Sequence, residues 1–459
     1  MGLYSRQSAR LVGPVSIGVL VVGMGVLWLV ARPRGMATAS YIGQFAGVES
    51  ILLMSIALVL ISTLPLVESY FDGIDRAAIW HRRCAITGIL LLVPHILLAN
   101  RDRPAGASWA NPAGVVATVG LATLIAWAIL PRWRTVVPAP GRRVIEAIHE
   151  WQPARLVARL VSDYEIWRQV HRSTGLFVAI GFAHGVADGS AFEGAPLLRW
   201  SYVVVGGIGL AFYAYRELLA RRGHGLRDYQ VSVVKAVGDG LTEIALRPLG
   251  RPLRYVPGQF AMLHIETKSG WHRHPFTLAS SPNDPEVRVT VKALGDYTST
   301  VSDTVKPGMP AVLSGPHGRF THAKGKSHQI WIAGGVGVTP FLSWFRSLDE
   351  FPASDRVDFF YSVAGDAPYI DEIRTIAKEH PNVWVHVVNT TTDGRLTAQR
   401  ALTMPRTADE APDRGAQHDA DSVSVFMCGP EQMVQSLHAG FREAGIPASA
   451  IHREHFDWR

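Results

Sequence analysis

Four histidines lie in otherwise apolar stretches of the chain. His81 and His95 are fourteen residues apart, and His171 and His184 are thirteen apart. An ionisable side chain within a membrane segment is costly and marks a functional site by default. At 1.5 Å per residue, each pair spans about 20 Å of helix, enough to place one histidine near each face of a bilayer. The members of one pair are therefore too far apart to share a metal ion.

The two stretches that carry these pairs are the third and fifth apolar segments, so they run in the same direction. His81 then lies at the depth of His171, and His95 at the depth of His184. Two imidazoles facing each other across a gap between helices suit six-coordinate haem iron. A single histidine in such a place is more often a hydrogen-bonded core residue. The matched set of four instead predicts two stacked b-type haems, an inner one and an outer one.

The spacing fits one helix better than the other. Fourteen residues at about 100° each return the second histidine to within about 40° of the first, whereas thirteen leave it about 140° away. The fifth helix must therefore be overwound, kinked or tilted. Gly175 and Gly181 are the candidates for where it deforms.

Six segments are long and apolar enough for a membrane span of about 20 residues. They are Leu11–Ala31, Gln44–Val67, His81–Ala99, Pro112–Leu130, His171–Ala187 and Leu197–Glu217. The first is too long for the apolar core of a signal peptide and lacks a cleavage site after it, so a retained helix is expected. Arginines concentrate in the connections on the N-terminal side. This bias predicts an integral plasma-membrane protein, in contact with lipid, whose N-terminus and C-terminal domains are cytoplasmic.

Composition argues against several other classes of protein. Hydrophobic residues make up 48% of the 459 residues but concentrate in the first half. The net charge of +7 comes from arginines between apolar runs rather than among aromatic residues, which argues against a nucleic-acid partner. The only cysteines are Cys84 and Cys428, one in each half. Neither a disulfide framework nor a cysteine-ligated metal site is therefore expected.

After about residue 223 the pattern becomes that of a soluble α/β protein. Short alternating runs bounded by proline and glycine predict antiparallel strands up to about Thr321. From Gln329 strands alternate with glycine turns and helices, as in a parallel α/β domain. The expected divisions are a helical domain in residues 1–222, an antiparallel barrel in residues 223–322 and an α/β domain in residues 323–459.

A glycine-rich turn opens the last of these domains. Gly334, Gly335 and Gly337 follow a predicted strand, and Thr339 and Pro340 begin a helix. Glycines let the backbone approach a pyrophosphate, and a helix N-terminus favours its negative charge. The turn therefore predicts a nucleotide site, although it is not the G-x-G-x-x-G pattern of Rossmann domains.

The histidine spacings, fourteen and thirteen, resemble those of the ferric reductase and NADPH oxidase superfamily, in which the same inequality recurs. The segment from His274 to Ser280 is similar to the flavin signature of that superfamily, where an aromatic residue and a threonine line the isoalloxazine ring and the ribityl-phosphate chain. Phe276 would supply a flat apolar face, Thr277 a hydroxyl, and Pro275 a stiffer strand. His274 stands where related soluble reductases have arginine.

Two further segments resemble flavin elements of the same superfamily. In Lys292–Thr298, a cation and the helix N-terminus opened by Gly295 would meet the phosphates. The segment Gly315–Phe320 is similar to the closing loop of these enzymes, with His317 where tyrosine is usual.

The resemblance also assigns residues near the nicotinamide. Cys428, Gly429 and Pro430 end a strand, and in this family such a triplet lies beside the nicotinamide, where hydride passes to the flavin. The alternative is a buried small cysteine at a strand end. A terminal aromatic residue covers the flavin ring in these enzymes, and either Phe456 or Trp458 would fill that place.

The resemblance implies a multi-domain membrane protein: a six-helix transmembrane haem bundle, an antiparallel β-barrel FAD domain and an α/β nucleotide-binding domain. Electrons would pass from NAD(P)H to FAD, then to an inner haem on His81 and His171 and an outer haem on His95 and His184. Ferric iron or its chelates are the expected acceptor on the extracytoplasmic side. The alternatives are an oxidase that reduces dioxygen to superoxide and a subunit that donates electrons to a partner redox protein. Ala99 stands where oxidases commonly carry a further histidine, which favours the reductase.

Overall fold

The computed structural model describes residues 6–32, 36–62, 64–71, 73–99, 110–129, 164–220, 225–238, 240–267, 270–404 and 422–454. The chain divides into two compact units, residues 1–222 and residues 223–459. Each unit has hydrophobic clusters of its own.

The N-terminal unit is built from apolar helices. They are α1 (Arg6–Val30), α2 (Thr38–Leu60), α3 (Pro65–Phe71), α4 (Ile74–Leu98), α5 (Ala110–Ile129), α6 (Tyr164–His171), α7 (Thr174–Asp188) and α8 (Pro196–Ala214), which continues into a π-helical turn at Tyr215–Leu219. Four of the described helical stretches are long and apolar enough to cross a membrane, and α5 contains a shorter apolar stretch.

Apolar side chains face outward from this unit as well as inward. Leu29 on α1, Leu90 on α4, Val119 on α5 and Leu197 on α8 are each more than half exposed. By contrast, α2 is buried along most of its length and packs against α1, α4, α7 and α8. Large exposed apolar surfaces are unusual for a protein in water and typical of one in lipid. Because α2 is buried along most of its length and contacts these four helices, it is the central helix of the unit.

The helix boundaries depart from the predicted segments at two early positions. The predicted segment Gln44–Val67 is divided, because α2 ends at Leu60 and α3 begins at Pro65. The predicted segment His81–Ala99 starts too late, since α4 begins at Ile74 and encloses His81. Charged residues in the first turns of α4 hid this extension from a criterion based on hydropathy.

The predicted fifth span is interrupted near its start. Instead of one helix over His171–Ala187, α6 ends at His171 and α7 begins at Thr174, after a turn at Arg172 and Ser173. His171 and His184 therefore belong to different helices. The angle of about 140° expected for one continuous helix does not apply to them.

Side chains near the C-terminal end of the unit stabilise the turn between α6 and α7. The carbonyl of Arg172 accepts a hydrogen bond from the Tyr213 hydroxyl at 2.9 Å, and its guanidinium pairs with Glu217, with Nε and Oε2 3.1 Å apart. The ring of Tyr213 approaches Gly175 so closely that a Cβ there would overlap it. Gly181, the other predicted point of distortion, lies inside the unbroken α7. The distortion therefore precedes both candidate glycines.

The C-terminal unit begins with a six-stranded antiparallel sheet. Its strands are β1 (Leu226–Gly238), β2 (Leu241–Pro248), β3 (Phe260–Thr267), β4 (Gly270–Thr277), β5 (Val287–Lys292) and β6 (Pro310–His317), in the order β4-β3-β6-β1-β2-β5. The helix α9 (Asp296–Thr304) follows β5. Alternate residues of the strands form one buried core that includes Leu246, Leu263 and Leu313. The prediction of antiparallel strands in this region is confirmed.

A five-stranded parallel sheet follows. Its strands are β7 (His328–Gly334), β8 (Arg356–Val363), β9 (Val383–Asn389), β10 (Val423–Cys428) and β11 (Ile451–Glu454), in the order β11-β10-β7-β8-β9. The helices α10 (Thr339–Phe345), α11 (Ile370–Glu379), α12 (Ala398–Thr403) and α13 (Glu431–Glu443) alternate with them along the chain. Trp331 and Ile332, neighbours on β7, belong to different apolar clusters. Both faces of the sheet are thus covered, as parallel sheets require.

Residues of α10 join the two sheets of this unit. The Ser343 hydroxyl donates a hydrogen bond to the carbonyl of Ser280 at 2.9 Å, and the Trp344 indole donates one to the carbonyl of Pro257 at 3.2 Å. Both donors are fully buried, so these contacts exclude water and fix α10 against the antiparallel sheet.

Arg346, directly after α10, reinforces that junction. Its guanidinium donates to the carbonyl of Ala279 at 3.0 Å and to both carboxylate oxygens of Glu372, at 2.6 and 3.0 Å. Glu243 on β2 lies 3.4 Å away, and the ring of Tyr369 lies 5.7 Å below the guanidinium. Burial alone would lower the pKa of Arg346, but the two carboxylates raise it, so the side chain stays charged.

Candidate functional site

The glycine turn and the cysteine triplet meet at the carboxyl ends of two neighbouring strands. β7 ends at Gly334, and β10, which pairs with β7 in parallel, ends at Cys428. The next strand along the chain, β8, lies on the opposite side of β7, so the strand order reverses between β7 and β10. Ligands of open parallel sheets bind at such a switch point, beyond the carboxyl ends of the strands.

The backbones of the two motifs are in direct contact. A Cβ on Gly337 would overlap the carbonyl oxygen of Cys428, and one on Gly429 would lie 3.0 Å from the Cα of Gly334. Gly335 has a φ of +54°, in the left-handed region that favours glycine. Only glycine therefore allows this turn to pack against the end of β10.

Lys292 brings a positive charge to the same turn. Its ammonium nitrogen lies 3.9 Å from the position that a Cβ would take on Gly335. Thr339 and Pro340 are buried, and the Thr339 hydroxyl donates to the carbonyl of Val336 at 3.1 Å. Thr339 and Pro340 therefore stabilise the turn. The positive charge of Lys292 beside a glycine-rich turn is suited to binding a phosphate group.

Cys428 has the predicted position but not a reactive thiol. Its side chain is fully buried in a cluster that includes Phe320 and Trp344. Burial, together with the negative charge of Glu454 on the neighbouring β11, raises the pKa of the thiol well above its usual value. A neutral buried thiol is a poor nucleophile. Cys428 does end a strand, as the sequence predicted. Gly429 is half-buried and Pro430 is exposed beside the glycine turn.

The predicted flavin signature lies on β4, which pairs with β3. The ring of His274 stacks on Tyr297 of α9, with ring centroids 4.2 Å apart and planes 15° apart. Pro275 and Phe276 are half-buried and Thr277 is buried. Sequence reasoning assigned no role to Tyr297, although it lies inside the second flavin-like segment. The stack joins that segment to the first.

Ser280 and Thr298 use their hydroxyls within the protein. Ser280 is fully buried, accepts a hydrogen bond from the Arg288 amide at 3.0 Å and bonds to the Tyr255 hydroxyl at 2.8 Å. The Thr298 hydroxyl oxygen accepts the amide of Gly295 at 2.9 Å, at the N-terminus of α9. The structure therefore supports a role in shaping the loops rather than side-chain contact with a cofactor.

The predicted closing loop is folded against β3. Gly315 and Gly318 have φ values of +140° and +90°, which favour glycine. The ring of His317 is buried and packs 5.7 Å from that of Phe260. A Cβ on Gly318 would lie 3.0 Å from the same phenyl ring. His317 is thus a packing residue at the base of the loop.

In the N-terminal unit, two of the four predicted ligands form hydrogen bonds to backbone carbonyls of α2. Nδ1 of His81 lies 2.9 Å from the carbonyl oxygen of Ala57, and Nδ1 of His95 lies 3.0 Å from that of Gly43. A carbonyl only accepts, so Nδ1 carries the proton and Nε2 keeps its lone pair in both rings. Gly43 and Ala57 are fourteen residues apart, as are the two histidines.

The rings of His95 and His184 lie side by side. Their ring centroids are 6.1 Å apart and their planes meet at 70°. A Cβ on Gly47 of α2 would lie 2.5 Å from Nδ1 of His95, and one on Gly114 of α5 would lie 3.1 Å from Nε2 of His184. The two glycines therefore make room for the two imidazoles.

His171 and His81, the other predicted pair, interact electrostatically. The ring of His171 stacks on Trp167, with centroids 4.8 Å apart and planes 15° apart. Within the described residues its Nδ1 has no hydrogen-bond partner. Arg216 interacts electrostatically with both histidines.

Two predicted residues, Phe456 and Trp458, lie outside the described residues. Among those that are described, no group of three or more histidine, cysteine, aspartate or glutamate side chains is arranged to hold a metal ion. In the part of the chain that the structure describes, His95 and His184 therefore meet as two rings and not within a larger group of such side chains.

Comparison with known proteins identifies the C-terminal unit. Residues 227–340 match the family model of an FAD-binding domain, and residues 331–439 match that of an oxidoreductase NAD-binding domain. Together with the antiparallel sheet and the parallel α/β sheet, these matches show a ferredoxin-reductase-like FAD and NAD module.

Individual relatives share only part of their length with this chain. Oxidoreductase NdmD of Pseudomonas putida is 27% identical over 217 residues, 46% of this chain and 34% of that protein. The ferredoxin reductase component of 3-ketosteroid-9-alpha-monooxygenase from Mycobacterium tuberculosis is 30% identical over 241 residues, 50% of this chain and 62% of that protein. The crystal structure of flavohemoglobin from Malassezia yamatoensis is 18% identical, covers 92% of this chain and 100% of its own, and has a TM-score of 0.47.

Proposed function

We propose that this chain is a transmembrane oxidoreductase that moves electrons from NAD(P)H, through FAD and two bis-histidine b-type haems, to an acceptor on the extracytoplasmic face. The C-terminal module transfers electrons from NAD(P)H by way of FAD. The haems, the membrane location and the acceptor are the parts that extend beyond this module.

The observation that carries the haem assignment is the hydrogen bonding of His81 and His95. Each ring donates from Nδ1 to a carbonyl of α2. A core histidine would also engage its second nitrogen, yet within the described residues Nε2 of neither ring has a hydrogen-bond partner. A histidine that is oriented through one nitrogen and free at the other is arranged as metal ligands are.

The distance between His95 and His184 fits an iron atom between them. Two metal–imidazole bonds of about 2 Å each, plus the distance from each nitrogen to its ring centre, add up to about 6 Å. The observed centroid separation is 6.1 Å. His95 and His184 would hold the outer haem.

His81 and His171 would hold the inner haem. Arg216, which interacts with both, would offset the charge of a haem carboxylate there. Trp167 stacks on the ring of His171, where His81 and His95 each have a hydrogen bond to α2. When bound, haem supplies a one-electron carrier whose potential depends on its axial ligands and their surroundings.

In the C-terminal module, the side chains position the two nucleotides. The turn at Gly335, with Lys292 beside it, would receive phosphate groups. The stacked rings of His274 and Tyr297 form an edge of the flavin site next to Phe276. When bound, FAD accepts two electrons from the nicotinamide and releases them one at a time. Cys428 would contribute its backbone position rather than thiol chemistry.

Ferric iron or its chelates are the acceptor that we favour. In oxidases of the superfamily that this chain resembles, a further histidine commonly lies one turn beyond the outer ligand. Here that position is Ala99, which is buried, and its backbone packs against Gly43 so closely that a Cβ on Gly43 would overlap it. Alanine carries no titratable group at this position, directly after α4, so reduction of dioxygen to superoxide is the second choice.

A partner redox protein is a third acceptor with specific support. The relative from Mycobacterium tuberculosis is named as the reductase component of a monooxygenase, and a relative from Ralstonia as that of a dioxygenase and hydroxylase system. By analogy, this chain would donate electrons to a separate protein at the membrane.

The test is to purify the full chain from membranes and record its reduced spectrum with NADH and with NADPH. We expect b-type absorption from two haems per chain, and loss of one of them in His95→Ala but not in the matched control His380→Ala, which alters a histidine of the C-terminal unit. Full haem content in His95→Ala would overturn the ligand assignment. Turnover with ferric chelate under nitrogen, with dioxygen in the presence and absence of superoxide dismutase, and with added ferredoxin separates the three acceptors.

A further inference from the structure

Glu49 is a carboxyl group in the middle of the central helix α2. It is six residues from Gly43 and eight from Ala57, whose carbonyls support the two levels of histidines. At 1.5 Å per residue it lies about 9 Å from one level and about 12 Å from the other. Its side chain is 4% exposed, and within the described residues neither carboxyl oxygen has a hydrogen-bond partner.

Among the described residues, no charged group forms an ion pair with the Glu49 carboxyl. The helices α1, α3, α4, α7 and α8 pack against α2. The titratable side chains described on these helices and on α2 itself are Tyr41, Glu68, Tyr70, Arg76, His81, Arg82, Arg83, Cys84, His95, His184, Asp188, Arg199, Tyr202 and Tyr213. None of them forms a hydrogen bond or an ion pair with Glu49 in the described part of the chain.

A structural role does not account for this arrangement. A neutral glutamic acid that stabilises a helix bundle would donate its O–H to a carbonyl, since burying an unpaired polar group is costly. Glu49 makes no such bond to any residue that the structure describes. The hydroxyls of Ser50 and Ser55, also on α2, are likewise buried without a partner in the described residues. Buried polar atoms of this kind are commonly satisfied by internal water, which also carries protons.

We infer that Glu49 is the proton-accepting site of the membrane unit. It binds one proton when an electron enters the histidine bundle, and it releases that proton when the electron leaves. This inference rests on the proposed function. In each cycle one carboxylate and one proton from bulk water become one carboxylic acid, so the added electron leaves the net charge of the bundle unchanged. Such compensation matters because charges interact strongly in a low-dielectric interior.

The inference is tested on the full chain in lipid nanodiscs, by infrared difference spectroscopy between the reduced and oxidised states. We expect a carboxylic acid band that grows on reduction and shifts in D2O. It should be absent in Glu49→Gln and retained in Glu68→Gln, the matched control, which removes another buried carboxyl of the same unit. In Glu49→Asp the band should persist at a shifted frequency.

A redox titration gives a second readout. The midpoint potential of the wild-type bundle should fall by about 59 mV for each tenfold decrease in proton activity, and that of Glu49→Gln should not depend on pH. If the haems are present but the band or the pH dependence survives in Glu49→Gln, the inference fails and the proposed function stands. If the purified chain holds no haem and shows no band linked to reduction, both fail. Where Glu49→Gln does not retain haem, Glu49→Asp decides, since loss of its band would contradict the assignment.

Discussion

Gly337 packs directly on the carbonyl oxygen of Cys428, and a Cβ at Gly337 would overlap that oxygen. The contact joins two motifs that are far apart in sequence, the glycine turn after β7 and the triplet at the end of β10. It places both at the switch point of the parallel sheet, where a nucleotide is expected to bind. The packing of this pair of residues therefore contributes to the shape of the proposed nicotinamide site.

Replacing Gly337 by alanine should damage the site more than the fold. The added methyl must push the turn away from Cys428, at a cost of about 2 kcal/mol of stability. A displacement of about 1 Å at a reacting centre can lower a rate about a hundredfold. We expect flavin reduction by NADH, followed by stopped-flow absorbance, to slow by about that factor, with FAD still bound.

The matched control for this variant is Gly365→Ala. Gly365 lies in an exposed loop after β8, and a Cβ there would have no atom within 4 Å. Its rate of flavin reduction should equal that of the wild type. Equal rates for Gly337→Ala and Gly365→Ala would show that the contact with Cys428 does not shape the site.

Arg346→Gln should loosen the two sheets of the C-terminal unit from each other. The variant leaves Glu243 and the partly exposed Glu372 without their cation and removes a hydrogen bond to the carbonyl of Ala279. We expect a loss of about 2 kcal/mol, between the values for exposed and fully buried pairs. Urea unfolding followed by flavin release measures this loss.

Arg247→Gln is the control for that experiment, since Arg247 makes a more exposed pair with Glu286. Its effect should stay below about 1 kcal/mol. A loss of stability in Arg346→Gln no larger than in Arg247→Gln would mean that the buried contacts do not hold the junction.

The sequence predicted the antiparallel and parallel sheets because their residues repeat with a clear period and their turns contain glycine and proline. It also predicted that the glycine turn follows one strand and that Cys428 ends another. That the two strand ends meet follows from the parallel pairing of β7 with β10, which the sequence did not show. It could not predict that the hydroxyls of Ser280 and Thr298 bond within the protein, since their partners are Tyr255 and backbone amides. Those partners are set by tertiary packing, not by local pattern.

In the N-terminal unit, the hydropathy pattern could not predict the break between helices after His171. The turn at Arg172 depends on Tyr213 and Glu217, which are more than forty residues further along the chain. The hydrogen bond from His95 to the carbonyl of Gly43 could not be predicted either, because a backbone carbonyl has no signature in the sequence. The spacings on the third and fifth apolar segments led to the predicted histidine pairs, whereas the hydrogen bonds of His81 and His95 are made to α2, a different helix.

His322 should make the stability of the C-terminal unit depend on pH. Its ring is 3% exposed and packs against Trp331 and Trp344, and burial lowers its pKa to about 4. Between the usual value of about 6.5 and about 4, the unfolded chain binds a proton that the folded chain does not, so stability falls as the pH falls. From pH 7 to pH 5 this amounts to about 2 kcal/mol.

Hydrogen exchange of peptides covering β7, recorded on the full chain at pH 7 and pH 5 and corrected for the intrinsic rate, measures this effect. His322→Phe should remove most of the pH dependence, whereas His380→Gln, which alters a less buried histidine after α11, should leave it. The same loss of protection at pH 5 in His322→Phe would assign the effect to another group.

Gly114→Leu should remove the outer haem while the inner one remains. A Cβ on Gly114 would lie 3.1 Å from Nε2 of His184, so a leucine side chain must displace the imidazole away from His95. We expect the haem content of the purified chain to fall from two to one per chain, together with loss of extracytoplasmic ferric reduction. Gly207→Leu on α8 is the control, because a Cβ at Gly207 has no atom within 4 Å, and it should keep both haems. Two haems in Gly114→Leu would mean that His184 binds iron in a different orientation or not at all.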